Sequence, residues 1–347
     1  MNETEFPVSL PASATSAAQE PAPSPAVLSA RGLTKHFRVG GVLSRNVLHA
    51  VDEVDLTIKD QEIVSLVGES GSGKSTVARL LAGLYTPTAG QIRFRDRPLS
   101  RMGRSEYRRH VQMVFQDPYS SLNPVFRASH GVMRSLKRHR MAGDRGSRRR
   151  QAVEILDSVG LVPGDEMLRK YPHELSGGQR QRFGFAQALA CRPSLILADE
   201  PVSMLDVSIR IGVLNLMQHL RQDRGVSFLY ITHDIASARY VADRVMVMYA
   251  ARVVEEGPTE AVLSRPAHPY TRLLLSAVPD PYAPDTEAVG SEVSEPPRVV
   301  NPGEGCRFRW RCPLALDICS RVTPPLEAVG PGHFAACHVT APSGGHA

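Results

Sequence analysis

Long apolar runs are missing from this sequence of 347 residues. No unbroken apolar stretch is long enough to cross a bilayer, and the first thirty or so residues lack the basic start and apolar centre of a secretory signal. Cysteine is also scarce, and five cysteines in a chain of this length do not form a disulfide scaffold. We therefore expect a protein that is made and kept in the cytoplasm.

The charge balance is basic, with a formal net charge of +6. Such a balance is compatible with a nucleic-acid or anionic membrane partner, but much of the excess sits in short runs such as Arg148, Arg149 and Arg150. We interpret that run as a solvated face. Charge alone therefore does not indicate a partner.

The chain divides by composition into an arm, a core and a tail. Residues 1–28 are rich in Ala, Pro and Ser and poor in large apolar side chains, which predicts disorder. The hydrophobic content of 42% suffices for one full-sized core and a smaller appendage. Residues 117–178 are predicted to form a mainly helical insertion. Proline becomes frequent after about residue 262, and residues 279–302 are predicted to be an irregular linker to a cysteine-containing tail.

Short apolar runs predict the strands of the core. The runs are 54–58, 63–67, 111–115, 195–198 and 228–231, and the last three are typical of buried strands in a largely parallel sheet. A helix is predicted directly after Gly73. Another is predicted after Asp206, where apolar residues recur at 209, 213, 216 and 220 as in a buried helix stripe.

A phosphate-binding loop is predicted between the strand at 63–67 and the following helix. Residues 68–76 fit the pattern G-x-x-x-x-G-K-[ST] in the strand–turn–helix context that this motif requires. Glycines let successive N–H groups converge on phosphate oxygens, Lys74 neutralises β- and γ-phosphate charge, and Ser75 ligates Mg²⁺. The predicted ATP-binding residues of the loop are Gly68, Ser70, Gly71, Gly73, Lys74, Ser75 and Thr76.

Two carboxylates follow the apolar run that ends at Ala198. Asp199 is predicted to hold Mg²⁺, and Glu200 is predicted to face the attacking water, as in a Walker B strand. Acids at strand ends are often only solvated. The phosphate-binding loop upstream favours the catalytic interpretation.

Residues 175–182, Leu-Ser-Gly-Gly-Gln-Arg-Gln-Arg, resemble the signature of ABC ATPases. Gln116, residues 203–206 and residues 232–234 follow the order of the other elements of that family, and the resemblance covers about residues 29–340. It implies an α/β fold: a P-loop ABC-type ATPase core at 29–262, with an antiparallel β-subdomain and a helical subdomain at about 117–178. A small irregular C-terminal region at 263–347 completes the chain.

The resemblance also implies that two nucleotide domains, arranged head to tail, share each ATP. Signature residues would then present a helix N-terminus to the γ-phosphate on the opposite subunit. This group comprises Ser176, Gly177, Gly178 and Gln179.

Further residues receive roles by their position in the family pattern. Glu200 would orient or deprotonate the water, and His233 would contact the γ-phosphate. Gln116 would sense Mg²⁺ and couple the site to the membrane partner, and Asp206 belongs to the D-loop. Phe37 matches the position of an aromatic that stacks on adenine, although a core phenylalanine is an alternative. Two departures, Met204 in the D-loop and Thr232 before the histidine, remove no reactive group.

Within the family, residues 115–124 and 268–271 and the cysteine-containing tail resemble the oligopeptide/dipeptide importer ATPases. Tyr119 and Gln179 are closer to the second of the two paralogous ATPases of such importers. The resemblance implies a translocase that hydrolyses ATP with Mg²⁺ to import peptides, peripheral on the cytoplasmic side of the inner membrane. Implied partners are a paralogous ATPase in a heterodimer, two permeases and an external solute-binding protein.

Two other functions are weighed against peptide import. Relatives of this group also import nickel or glutathione. An ABC ATPase acting on nucleic acid is less favoured, because the sequence shows neither a long coiled coil nor a second ATPase core, and a nucleic-acid partner is not expected.

Four of the five cysteines lie in the tail, at Cys306, Cys312, Cys319 and Cys337. Four thiolates suit an iron–sulfur cluster or a structural zinc ion, and disulfides are disfavoured in the cytosol. The spacing lacks the paired C-x-x-C motifs of zinc ribbons, and free thiols are a further alternative. The resemblance implies a four-iron four-sulfur cluster with a structural role. Cys191 is predicted to be a buried structural thiol.

Overall fold

A computed structural model describes residues 25–40, 45–117, 122–141, 143–277 and 299–340. A four-stranded antiparallel sheet opens the chain, with strand order β2-β1-β4-β5. Apolar side chains on one face of β1 and β2 are buried, as expected for an antiparallel sheet with one solvated face. Its strands are β1 (Ala26–Arg38), β2 (Val47–Lys59), β4 (Ala89–Phe94) and β5 (Arg97–Pro98).

A second sheet of eight strands forms the centre of the molecule, in the order β11-β12-β10-β9-β3-β8-β7-β6. The five strands from β9 to β6 are parallel, and every residue of β3, β7 and β8 is buried, which explains their unbroken apolar sequences. The strands are β3 (Ile63–Val67), β6 (Val111–Val114), β7 (Leu195–Asp199), β8 (Ser227–Thr232), β9 (Arg244–Tyr249), β10 (Arg252–Pro258), β11 (Glu327–Gly330) and β12 (His333–Ala335).

Helices cover the central sheet and form the region between β6 and β7. That intervening region holds α3 to α6, in agreement with the predicted helical insertion. The helices are α1 (Lys74–Leu81), α2 (Arg104–His110), α3 (His130–Arg138), α4 (Arg145–Ser158), α5 (Gly164–Met167), α6 (Gly177–Leu189), α7 (Val207–Arg224), α8 (Ile235–Val241), α9 (Thr259–Ser264) and α10 (Pro269–Ser276).

The apolar core has three clusters. One joins the helical region to β7 and β8 and includes the predicted stripe of α7, where Val213, Leu216 and Leu220 are buried and Ile209 packs beside them. A second lies between the antiparallel sheet and α1. The third joins the central sheet to the tail through Tyr249, Tyr270 and Phe308. Each fully buried aromatic of this kind contributes roughly 1.5–3 kcal/mol, so the tail packs on the core through a substantial apolar contact.

Several boundaries differ from the prediction. β1 begins at Ala26, inside the arm predicted as disordered, whereas residues 1–24 lie outside the described residues. The strand predicted at 54–58 is part of a strand of 13 residues, and the strand predicted at 111–115 ends at Val114, the last residue that pairs with β7.

The tail is more regular than predicted. β12 pairs with β10 and β11 pairs with β12, so the tail extends the central sheet at one edge. Residues 299–301 lie against β2, with the amide of His49 donating to the carbonyl of Val299 at 2.8 Å. Most of the predicted linker, residues 279–298, lies outside the described part of the chain. Strands of three and four residues are too short to show an alternating pattern, which is why the sequence did not reveal them.

Candidate nucleotide-binding site

The loop between β3 and α1 is a tight turn that only glycine permits at two positions. Gly73 has φ 108°, and a Cβ there would lie 2.1 Å from the carbonyl oxygen of Ala50. A Cβ on Gly68 would lie 2.1 Å from the carbonyl oxygen of Met248. The loop therefore keeps its backbone close to two neighbouring strands, with α1 beginning at Lys74.

Lys74 folds back over this loop. Its Nζ donates to the carbonyl oxygens of Gly68 at 2.7 Å and Glu69 at 2.8 Å. Burial lowers the pKa of Lys74, and the nearby carboxylates of Glu200, Asp199 and Glu69 oppose this shift. Nζ also donates to the Ser72 hydroxyl at 3.4 Å, so the buried ammonium is held by neutral acceptors of its own loop, which an anionic ligand can replace.

Ser75 and Asp199 bring two oxygen donors together beneath the loop. The Ser75 hydroxyl donates to Oδ1 of Asp199 at 2.9 Å. Burial raises the pKa of Asp199, and the hydrogen bond from Ser75 counters it. Hydroxyl and carboxylate oxygens are the ligands that Mg²⁺ prefers, so this pair fits the predicted magnesium site.

Glu200 lies where three strands end at the same edge of the sheet. Its Oε2 accepts a hydrogen bond from Nε2 of Gln116 at 2.9 Å and lies 3.3 Å from Nδ1 of His233. Glu200 has φ 46°, a left-handed conformation that costs of order 1–3 kcal/mol in a non-glycine residue. The structure therefore brings together three of the predicted site residues, which are 84 and 33 positions apart in sequence.

An open cleft of about 950 Å³ passes over these groups. Phe37 lies on its wall, half-buried and edge-on to Tyr85 at 5.7 Å between ring centroids. Gly68 and Asp199 are not at its surface and support it from below. The predicted residues that line the cleft are Phe37, Ser70, Gly71, Gly73, Lys74, Ser75, Thr76, Gln116, Glu200 and His233.

The signature residues lie elsewhere. Ser176 caps α6 through a reciprocal pair of hydrogen bonds, with the Gln179 amide donating to its hydroxyl and its own amide donating to Oε1 of Gln179. Ser176 is exposed, and Gly178 is packed so closely on Ile209 that a Cβ would lie 2.5 Å from Cγ2. Neither the signature residues nor the exposed Asp206 line the cleft. The predicted site residues thus fall into two separate groups.

One contact to the loop was not predicted. Arg311 of the tail forms a two-pronged salt bridge with Glu69, at 2.8 and 3.0 Å, and the amide of Glu69 donates to the Tyr270 hydroxyl at 2.9 Å. The hydrogen bonds to Glu69 raise the pKa of Arg311. No local pattern indicates a pair 242 residues apart. The tail therefore holds the first turn of the phosphate-binding loop.

The tail cysteines are free thiols, and burial raises the pKa of Cys306, with smaller contributions from the three other tail cysteines. A single tetrahedral zinc ion requires sulfur atoms about 3.8 Å apart. Among the described residues, no three cysteine sulfurs lie within 4.8 Å of one another. The described tail cysteines are therefore not spaced for one ion. Cys191 is buried, as predicted, and burial raises its pKa.

Comparison with known proteins agrees with this geometry. Residues 51–203 match the family model described as ABC transporter, and residues 254–319 match the one described as oligopeptide/dipeptide transporter, C-terminal region. The cassette MJ0796, solved as a dimer bound to ADP and Pi, has a TM-score of 0.59 and 31% identity over 67% of this chain and 98% of its own. The fold and the phosphate site define an ATPase of the ABC type.

The chain belongs to the ABC transporter family. Relatives that match it over most of its length have names that specify the transported substrate. It is 44% identical to a probable peptide ABC transporter ATP-binding protein of Sinorhizobium fredii, over 92% of both chains. It is 41% identical to the oligopeptide transport ATP-binding protein AppF of Bacillus subtilis, over 90% of this chain and 97% of that one. Among the described helices, none combines the length and hydropathy that crossing a bilayer requires.

Proposed function

We propose that this chain hydrolyses ATP to power the import of peptides through a membrane transporter. The observation that carries the proposal is the convergence of Lys74, the Ser75–Asp199 pair and Glu200 on one cleft at the end of the parallel strands. The peptide cargo follows from the relatives named as peptide and oligopeptide transport proteins and from the matching C-terminal region.

The phosphates of ATP would bind over the loop before α1. Lys74 would exchange its hydrogen bonds to Gly68 and Glu69 for phosphate oxygens, because its ammonium is buried close to the loop amides. Ser75 and Asp199 would hold Mg²⁺, which neutralises charge on the phosphates. Phe37, at the wall of the cleft, offers a flat face for adenine.

Glu200 would accept the proton of the attacking water. Its carboxylate is largely buried, with 14% of the side chain exposed, and Gln116 and His233 fix its orientation from two sides. His233 is 56% exposed and points into the open cleft, where a γ-phosphate would be within its reach. Positioning a base in this way contributes typically 10²–10⁴-fold to the rate.

The second group of site residues would serve another chain. The exposed N-terminus of α6, with Ser176 and Gly177, is suited to bind a γ-phosphate but does not face this chain's own cleft. We propose a heterodimer with a paralogous ATPase, two permeases and an external solute-binding protein, with this chain peripheral on the cytoplasmic face. The ATPase domain would span residues 29–262 with its helical subdomain at about 117–178, and residues 263–347 would form the importer-type region.

Transport by the assembled complex tests the cargo. In proteoliposomes with the paralogous ATPase, both permeases and the solute-binding protein, we expect ATP-dependent uptake of labelled di- or oligopeptides. The same vesicles carrying the Glu200→Gln chain serve as the matched control and should take up almost none. Uptake of nickel or glutathione in place of peptides would contradict the peptide proposal while leaving the ATPase assignment intact.

We further propose that Cys306, Cys312, Cys319 and Cys337 hold a four-iron four-sulfur cluster that stabilises the tail. Four unpaired thiols are the donor set that such a cluster takes, and no three of their sulfur atoms are spaced for a single ion. A cluster bound by four cysteines would cross-link the tail, which has few large apolar side chains to stabilise it. It has no part in ATP hydrolysis, which transfers no electron.

Anaerobic purification checks the cluster. We expect a brown protein with iron and sulfide in equal amounts, and a lower unfolding temperature for the tail when Cys319, the buried member, is changed to Ser. Cys191→Ser is the matched control, since it removes a buried thiol outside the tail and should leave the visible absorption unchanged. A colourless protein that lacks iron, or that contains one zinc ion, would contradict the proposal.

A further inference from the structure

Two histidines and an aspartate meet at the mouth of the nucleotide cleft. His36 on β1 lies directly opposite His49 on β2, and Asp52 follows three residues later. Nε2 of His36 lies 3.4 Å from Oδ1 of Asp52, and Nδ1 of His49 lies 3.6 Å from Oδ2. Each of the three residues has one donor atom that lies within 4.8 Å of a donor atom of the other two. In the described part of the chain, no other three His, Cys, Asp or Glu residues meet this condition.

The spacing of these atoms fits a tetrahedral ion. Ligand bonds of 2.0–2.2 Å separate neighbouring donor atoms by about 3.4 Å. Nε2 of His36 and Oδ1 of Asp52 are 3.4 Å apart, close to this value. Nδ1 of His49 lies 3.6 Å from the other carboxylate oxygen, so the two stacked rings have to turn slightly before all three residues face one ion. Two imidazoles and one carboxylate suit Zn²⁺, Cu²⁺ or Ni²⁺ and leave a fourth position for water.

The donor atoms are available to a ligand. Nδ1 of His49 is buried and has no hydrogen-bond partner among the described residues. Burial alone would raise the pKa of Asp52, but Arg307 and Arg252 overcome this and hold it at about 2.

Two arginines limit how tightly a cation can bind here. Arg252 and Arg307 both donate to Oδ2 of Asp52, which leaves Oδ1 directed at His36. Their positive charges oppose a divalent ion, so the affinity should be lower than that of a structural zinc site. Such a site fills and empties with the concentration of free metal.

We propose that His36, His49 and Asp52 form a reversible transition-metal site, for an ion of the Zn²⁺ class, at the edge of the nucleotide cleft. His49 lines the cleft, and so does Phe37, the neighbour of His36. A bound ion fixes both strands at the wall where the base of a nucleotide would lie and thereby weakens nucleotide binding. This second effect rests on the proposed ATPase function, whereas metal binding itself does not.

Zinc titration of the nucleotide-free chain is the first test. We expect His36→Gln to lower the affinity of one zinc ion at least about 10-fold relative to the wild-type chain. X-ray absorption of that ion should show nitrogen and oxygen ligands near 2.0 Å, whereas the tail cysteines would give sulfur at 2.3 Å. His219→Gln, which changes an exposed histidine outside the set, is the matched control. Sulfur ligation alone, or equal zinc binding by His36→Gln and wild type, would overturn the site.

Nucleotide binding is the second test, and it separates the two parts of the proposal. With Mg²⁺ in excess, one equivalent of zinc should weaken binding of a fluorescent ATP analogue several-fold in the wild-type chain and leave His36→Gln unchanged. Equal weakening in both chains would overturn the effect on the cleft, because zinc would then act on the nucleotide itself. If neither chain binds nucleotide without zinc, the proposed ATPase function fails, and the titration still decides the metal site. The unfolding temperature without zinc, expected to be the same in both chains, confirms that the variant folds.

Discussion

ATP turnover at the site of this chain is expected to fall about 1,000-fold when Glu200 is replaced by Gln, while ATP still binds. The amide keeps the shape of the side chain, but it cannot accept the proton of the attacking water. Lys74 and the Ser75–Asp199 pair, which bind the phosphates and Mg²⁺ in our proposal, remain in place. The measurement is phosphate release by the assembled transporter, together with nucleotide binding by the same preparation.

Two comparisons make this result specific. Lys74→Ala should weaken ATP binding itself, since it removes the buried ammonium over the loop. Glu200→Gln should instead trap ATP in a closed pair of subunits. The proposed paralogous ATPase would supply a second site. Its contribution is the turnover that remains in a complex whose only substitution is Glu200→Gln and that disappears when the partner carries the corresponding substitution as well. Full turnover by Glu200→Gln after that correction would disprove the role of Glu200 as the base.

A carboxylate placed at the start of α6 should separate ATP binding from hydrolysis. We expect Gly177→Asp to leave the ATP affinity of the isolated chain unchanged, because Gly177 does not line its cleft. Turnover by the assembled complex should fall about 100-fold, since an acid there repels the γ-phosphate held by the partner chain. The helix itself should persist, because an acidic residue is favourable in the first turn and a Cβ at Gly177 has ordinary contact with Leu205 at 3.5 Å.

Gly177→Asn is the matched control. It adds a side chain of the same shape without charge, so it should retain much more of the turnover than Gly177→Asp. Phosphate release by the complex and equilibrium nucleotide binding by the isolated chain check both variants. Loss of ATP affinity in the isolated Gly177→Asp chain would show that the signature completes its own chain's site, in contradiction to the shared-site proposal.

Much of the candidate site could be predicted from the sequence because its determinants are local. The phosphate-binding loop is a run of nine residues whose glycines are required by backbone contacts such as that of Gly73 with Ala50. Asp199 ends a strand that is buried at every position and Glu200 directly follows it, so an apolar run in the sequence marks the place of both acids. Gln116 and His233 were assigned by their position in the family pattern, and they meet Glu200 because the carboxyl ends of parallel strands lie at one edge of the sheet.

The rest of the fold and of the site depends on pairs of residues that are distant in sequence, and no local sequence pattern reveals such pairs. β11 and β12 have four and three residues, which is too few for a periodicity, and they are ordered by pairing with β10. The register that sets His36 opposite His49 includes irregular steps in the pairing of β1 with β2. An irregular register cannot be read from alternating apolar residues.

The two residues of the Glu69–Arg311 salt bridge are synthesised at different times. Ribosomal synthesis runs from the N-terminus, so the phosphate-binding loop emerges 242 residues before the arginine that holds it. A chain cut short before Arg311 would lack this restraint, and β10 would keep an open edge that β12 normally covers. An incomplete chain would therefore lack the salt bridge at its phosphate-binding loop and would expose a strand edge that other chains could pair with.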